Sequence, residues 1–236
     1  MNDMLTFAKG NSKLDKSIYI FSLPAGHTCP FAKTCKTMVD KDTGKLTQFG
    51  NIRCFAASSE NLFPSVRKSR WNNFNLLNGK TMEEMVKIIN NSIPKKATRI
   101  RIHGSGDFFN ETYFKAWMEI AKMRPNILFY TYTKSIPYWK AYGDIPSNMV
   151  LTASFGGLKD KMIKANNLKS VEIVMTEKDA KKKNIAMDHD DSLAMDKNIS
   201  HFGLYIHGKQ AAKSSAAKAI STLRKVGIKG YSKNYK

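Results

Sequence analysis

Short apolar stretches alternate with amphipathic or polar stretches along most of the chain. The apolar stretches are rich in β-branched and aromatic residues and are bounded by turn-forming residues, a pattern typical of strands. Six strands are predicted in this way, at 17–24, 98–103, 127–133, 148–155, 171–176 and 201–208. The stretches between them predict helices or helical crossovers, at 58–78, 81–89, 110–123, 136–144, 158–168, 177–184 and 211–226.

The regular alternation of strands and helices predicts an α/β fold. Several strands are apolar at almost every position, as expected when helices cover both faces of a parallel sheet. Repeated strand–crossover–strand units build either an open doubly wound sheet or a partial (β/α)6 barrel. Residues 1–236 are predicted to form one domain, with an irregular segment at 24–57 and a basic C-terminal helix and tail at 209–236.

Composition places the chain among ordinary globular proteins. It has 236 residues, 42% of them hydrophobic, which is enough for a sizeable core. The sequence shows no apolar run of about 18 residues and no signal-peptide region at its start. These features predict a cytoplasmic protein that has no membrane partner.

The formal charge is strongly positive, at +20, from 39 basic and 19 acidic residues. Such a charge attracts polyanions, so nucleic acid is a candidate partner. Lysine far outnumbers arginine, however, and arginine is the residue that reads phosphates and base edges with a fork of donors. A nucleic acid, a host protein and a merely solvated lysine-rich surface all remain open.

All three cysteines lie within the segment 24–57: Cys29, Cys35 and Cys54. An odd number of cysteines without a secretion signal argues against a disulfide framework. Because metal centres need thiolates that converge, their confinement to one segment favours a metal site. Cys29 and Cys35 are six positions apart, which would place them on different faces of a helix, so the segment is expected to be a loop.

Three interpretations of these cysteines stay open. Three thiolates without a fourth suit a [4Fe–4S] cluster that leaves one iron accessible to a small molecule. They also suit a zinc site with His27 as the fourth ligand, although zinc sites usually pair cysteines at intervals of two to four residues. The third interpretation is that the thiols are buried and hold no metal.

A glycine-containing turn follows the second predicted strand directly, at Gly104, Ser105, Gly106 and Asp107. Ligands of α/β proteins bind where strand ends and helix starts converge. The turn lacks the third glycine of a dinucleotide fingerprint and the Lys-Ser/Thr of a P-loop. The next two strands end in hydroxyl side chains, at Thr131, Thr133 and Ser154. These residues predict a ligand site where the carboxyl ends of the strands meet. The alternative is that they only form ordinary turns.

Several motifs together resemble the phage gene-product-88 domain family, over roughly residues 18–232. The motifs are LPAGHTCPFAKTC, RCFAA, RIHGSGDFF, YTYTKS, FGLYIHGKQ and KGYS. The cysteine segment and RIHGSGDFF are the specific ones. This resemblance implies a phage-encoded protein in the cytoplasm of an infected bacterium.

The layout is also distantly similar to radical S-adenosylmethionine (SAM) enzymes. That resemblance implies a partial (β/α)6 barrel, an electron donor, and a [4Fe–4S] cluster held by Cys29, Cys35 and Cys54 after the first strand. It implies further that Gly104, Ser105, Gly106 and Asp107 meet the methionyl amino group of SAM, and that Thr131, Thr133 and Ser154 contact its ribose or carboxylate. The cysteine spacing differs from the usual CxxxCxxC, and Asp107 stands where these enzymes commonly have glutamate.

Overall fold

The computed structural model describes residues 4–11 and 14–228, and its centre is a seven-stranded sheet. The strands of the described residues are β1 Phe7–Lys9, β2 Ile18–Ser22, β3 Thr37–Val39, β4 Leu46–Gln48, β5 Arg99–Ser105, β6 Leu128–Thr133, β7 Met149–Ser154, β8 Ser170–Val174 and β9 His201–Tyr205. β3 and β4 form a separate antiparallel hairpin. The large sheet has the order β1-β2-β5-β6-β7-β8-β9.

Six strands of this sheet, β2 and β5 to β9, are parallel, and they are the six that the sequence predicts. They follow one another in chain order, whereas a doubly wound sheet reverses its order at a switch point. The α/β prediction is therefore confirmed as a mixed fold with a mostly parallel sheet.

Helices connect the parallel strands within the described residues. They are α1 Phe55–Leu62, α2 Pro64–Leu77, α3 Met82–Ser92, α4 Glu111–Met123, α5 Ile136–Tyr142, α6 Asp160–Ala165, α7 Glu177–Lys183, α8 Ser192–Met195 and α9 Ser215–Lys225. Capping side chains fix where several helices begin. Thr81 and Glu84 form a capping box on α3, and Asn110 caps α4. The single helix predicted over 58–78 is two helices, because Pro64 ends one and begins the next.

Apolar clusters cover both faces of the sheet. On one face, Trp117 and Phe114 of α4 and Ile89 of α3 are fully buried against β5 and β6. The other cluster includes Ile20 of β2 and Phe202 of β9, together with residues of β6, β7 and β8. The near-continuous apolar strands are thus explained by burial on both sides.

The shortest strands do not show in the sequence pattern. β1, which pairs antiparallel with β2 at the sheet edge, and both strands of the hairpin have three residues each, too few for alternation to show. The segment 24–57, expected to be irregular throughout, contains that hairpin. Within the described residues, no helix is long and apolar enough to cross a membrane.

Candidate functional site

A cavity of about 360 Å³ opens at the carboxyl ends of the parallel strands. Residues of β5 to β9 and of the segment 24–57 line it. Much of its wall is apolar, formed by side chains such as Phe155, Val171, Ile173, Leu204 and Ile206. A volume of this size is within the usual range for small-molecule sites.

All three cysteines line this cavity, and each is half-buried with a free thiol. Cys29 and Cys35 lie in turns between β2 and β3, while Cys54 is the N-cap residue of α1. The first two converge because the chain between them turns rather than forming a helix, as the sequence predicts. Residues that are separated along the chain therefore share one cavity.

The thiols influence one another electrostatically. Burial raises the pKa of Cys29, and the nearby carboxylate of Asp107 and the thiol of Cys54 raise it further. Burial also raises the pKa of Cys54 to about 11, with a contribution from Cys35, although backbone N–H groups at the start of α1 act in the opposite direction. Such groups stay protonated at neutral pH unless a cationic centre binds them, because metal ligands must be deprotonated.

Contacts to main-chain carbonyls hold the first two cysteines in place. The Nζ of Lys36 donates to the carbonyl oxygen of Gly26 at 2.7 Å and to that of Cys29 at 2.9 Å. The backbone N–H of Thr34, next to Cys35, donates to the carbonyl oxygen of Gly156 at 2.9 Å. The turns are thus joined to the chain that follows β7.

Gln210 fixes the backbone next to the third cysteine, and no sequence pattern marks Gln210 for this role. Its side-chain amide accepts from the backbone N–H of Arg53 at 2.8 Å and donates to the Arg53 carbonyl at 2.9 Å and the His207 carbonyl at 3.2 Å. The residue before Cys54 is therefore joined to the chain after β9, the last strand. A glutamine in a loop gives no local signal of a partner 157 residues away.

The turn Gly104–Asp107 lines the cavity at the end of β5. A Cβ atom added at Gly104 would lie 2.5 Å from the side chain of Ile20 on β2. A Cβ atom at Gly106, where φ is +84°, would lie 2.5 Å from the Oγ1 of Thr28. Close approach of β2 therefore requires a glycine at position 104, and close approach of the cysteine segment requires one at position 106.

Substituting Gly106→Ala is expected to lower the free energy of unfolding by roughly 2 kcal/mol, from backbone strain and from the clash with Thr28. Gly79→Ala is the matched control, since Gly79 has φ +75° but no atom within 4 Å of an added Cβ. Urea denaturation of both variants measures the difference. Equal losses would show that the clash at Gly106 costs nothing.

The carboxylate of Asp107 fixes the end of β5 against the end of β6. It accepts from the Thr133 hydroxyl at 2.6 Å and from the backbone N–H groups of Lys134 and Phe108 at 2.7 and 2.8 Å. Burial raises the pKa of Asp107, and these bonds oppose the rise. Because a carboxylate has about four acceptor positions, few remain for a ligand.

The strand-end hydroxyl groups are not equivalent. Thr133 and Ser154 line the cavity, but the Ser154 hydroxyl accepts from the Nζ of Lys134 at 2.6 Å. Thr131 does not line the cavity, contrary to its grouping with the other two: its hydroxyl is buried 3.4 Å from the Nδ1 of His103. The reason is that Thr131 shares a face of β6 with Phe129, which packs in the cluster around α4, whereas Tyr130 and Tyr132 lie on the opposite face.

The structure also separates His27 from the cysteines. The Nε2 of His27 lies 3.0 Å from the carbonyl oxygen of Val39, and its ring packs against Trp71 at 4.9 Å. His27 is absent from the cavity wall. The zinc site with His27 as fourth ligand stays a prediction, and in this geometry the imidazole bonds to the hairpin.

In the described part of the chain, no three His, Cys, Asp or Glu side chains lie close enough together to hold one metal ion. Thiolates around a single zinc ion are only roughly 4 Å apart, given Zn–S bonds of about 2.3 Å. The thiolates of an iron–sulfur cluster bind different irons and are spaced more widely. The three cysteines thus share one cavity without forming a single-ion metal site among the described residues.

These features define an α/β protein with a cysteine-lined cavity at the carboxyl ends of its parallel strands. The chain belongs to the gene product 88 family of phage proteins, whose family model matches residues 1–223. It is similar to the Gene 88 protein of Mycobacterium phage L5, at 28% identity over 90 residues, which is 34% of this chain and 38% of the relative. No solved structure matches the chain.

The family membership expected from the motifs is thus confirmed, whereas the distant resemblance to radical SAM enzymes finds no support in these matches. The motif KGYS and the end of the basic tail, at 229–236, lie outside the described residues.

Proposed function

We propose that this protein binds a [4Fe–4S] cluster through Cys29, Cys35 and Cys54 and presents the fourth iron to a small molecule in the cavity. The observation that supports the proposal is the convergence of all three cysteines of the chain on one cavity. When bound, such a cluster supplies an open coordination position and a single electron.

The donor set favours a cluster over a single zinc ion. Three thiols line the cavity, the imidazole of His27 bonds to Val39, and no group of described residues forms a single-ion site. The thiols of Cys29 and Cys54 have raised pKa values without a metal, so loading must release protons and becomes more favourable as pH rises.

SAM is the small molecule that we propose for the open position. Six parallel strands in chain order, with the cysteine segment directly after the first, agree with a partial (β/α)6 barrel. Curvature of this kind would explain why one apolar cluster includes residues of β2 and of β6 to β9. The proposed enzyme would need an electron donor and would act in the cytoplasm of an infected bacterium.

Different residues of the chain would then bind the ligand, position the turn and exclude water. The Gly104–Asp107 turn offers backbone groups that a ligand can approach closely because its two glycines lack side chains. Thr133 and Asp107 hold that turn against β6, and Ser154 is fixed by Lys134. The apolar wall excludes water from the reacting region. The hydroxyl of Thr131 has no role in this site.

Anaerobic purification followed by iron and acid-labile sulfide analysis tests the cluster. We expect about four irons and four sulfides per chain, and at least a tenfold lower iron content in each of Cys29→Ala, Cys35→Ala and Cys54→Ala. Thr34→Ser is the control, because Thr34 lines the same cavity without a thiol. Zinc without iron, or full iron content in the three variants, would overturn the assignment.

SAM is tested separately on the iron-loaded protein. We expect saturable binding in equilibrium dialysis and, after reduction with dithionite, release of 5′-deoxyadenosine detected by mass spectrometry. A cluster-loaded protein that neither binds nor cleaves SAM would contradict this part of the proposal and leave the cluster assignment standing.

A further inference from the structure

A buried arginine lies deep in the cavity. Arg101 on β5 lines the cavity, and its side chain is 10% exposed. It precedes Ser105, the last residue of the strand, by four positions, which places it roughly 13 Å below the mouth. The cysteines are at the mouth, so Arg101 faces the other end of the same space.

Three contacts fix the plane of the Arg101 guanidinium. Its Nη1 donates to Asp191 at 2.8 Å, its Nε donates to the His103 carbonyl at 3.3 Å, and the group lies over the ring of Tyr132 at 5.0 Å. No group in the described part of the chain accepts a hydrogen bond from its Nη2. Nη2 is not one of the fully buried polar atoms that lack a partner, so it faces the open space of the cavity, where a ligand can accept a hydrogen bond from it.

Asp191 bonds to only one edge of the Arg101 guanidinium, through Nη1. The carboxylate of Asp191 also accepts from the hydroxyl groups of Tyr130 and Tyr132, both at 3.0 Å. The cavity wall itself carries two carboxylates: Asp107 accepts from the Thr133 hydroxyl, and Glu172 is ion-paired with Lys183. The free edge of the guanidinium is therefore available to a further anion.

We propose that the cavity binds an apolar monocarboxylate, with its carboxylate on the Nη2 edge of Arg101 and its body against Val171, Ile173 and Leu204. An arginine fork matches a carboxylate in shape and charge, and the surrounding wall is apolar. The inference rests on the proposed function in one respect: it takes this acid to be the substrate, bound beneath the cluster. Its binding step requires no iron.

Carboxylates paired with their amides are the probes. The full-length protein is titrated before and after removal of iron with a chelator. The acids are octanoate, phenylacetate and N-acetylphenylalanine, and the affinity for each acid is compared with the affinity for its amide. Isothermal titration calorimetry is expected to show at least tenfold tighter binding of at least one acid than of its amide, in both forms. The three acids distinguish an alkanoate, an aromatic acid and a peptide C-terminus as the natural source.

The double variant R101Q/D191N removes both charges of the ion pair, so that neither charge is left buried without its partner. A thermal unfolding curve checks that the variant folds. We expect it to lose the preference for acid over amide. R99Q is the matched control, since Arg99 lies on the same strand, donates to the Ser17 hydroxyl and does not line the cavity.

Equal binding of acids and amides by the wild-type protein, or an unchanged preference in a folded R101Q/D191N, would overturn the inference. The two proposals fail separately. An acid preference in a chain that binds no iron would contradict only the cluster, whereas an iron-loaded chain without that preference would contradict only the carboxylate site.

Discussion

Glu60→Ala is expected to lower the free energy of unfolding by about 3–5 kcal/mol, because it leaves a buried cation without its partner. Glu60 of α1 is fully buried, and its Oε1 is 2.7 Å from the Nη1 of Arg70. The same oxygen accepts from the backbone N–H of Ala25 at 2.8 Å and from the Ser105 hydroxyl at 3.3 Å. One carboxylate thus joins α1, α2, the cysteine segment and the glycine turn.

Urea denaturation of the iron-free protein measures this loss, and Glu111→Ala is the control. Glu111 forms an exposed ion pair with Lys115, and its removal should cost less than about 1 kcal/mol. Glu60→Ala should also lower iron incorporation, since the segment that carries the cysteines loses its attachment. Equal stability of the two variants would show that the buried pair contributes nothing beyond a surface pair.

The parallel strands could be predicted because each is long enough to show its pattern. β5 to β9 have five to seven residues each, most of them buried, so burial on both faces leaves continuous apolar runs. The capping box at Thr81 was equally visible, because both of its partners are local. Three-residue strands such as β1 carry too little pattern to be recognised.

The candidate site was only partly predictable. The three cysteines and the Gly104–Asp107 turn stood out by residue type and position, and all of them line the cavity. Thr131 and Ser154 looked alike in sequence, because a strand that is apolar on both faces does not show which face packs in the cluster around α4. Gln210 and Glu60 act through partners that the fold brings from 157 and 35–45 residues away, a relation that no local pattern encodes.

Acidification is expected to destabilise the protein through His103, which is buried among Phe21, Phe108 and Tyr113. Burial, with a smaller effect from the charge of Arg101, lowers the pKa of His103 to about 3. Below pH 6.5 the unfolded chain binds a proton that the folded chain does not, so stability is lost as the pH falls from 6.5 towards 3. The loss should reach about 3 kcal/mol at pH 4.5.

His103→Gln isolates this contribution, because an amide can still bond to the Tyr113 hydroxyl but does not titrate. Carboxylates titrate in both proteins, so the quantity to compare is the difference in the free energy of unfolding between pH 7 and pH 4.5. That difference should be smaller in His103→Gln by about 3 kcal/mol. Parallel stability curves would mean that His103 becomes protonated within the fold, and that the core beside Arg101 admits water.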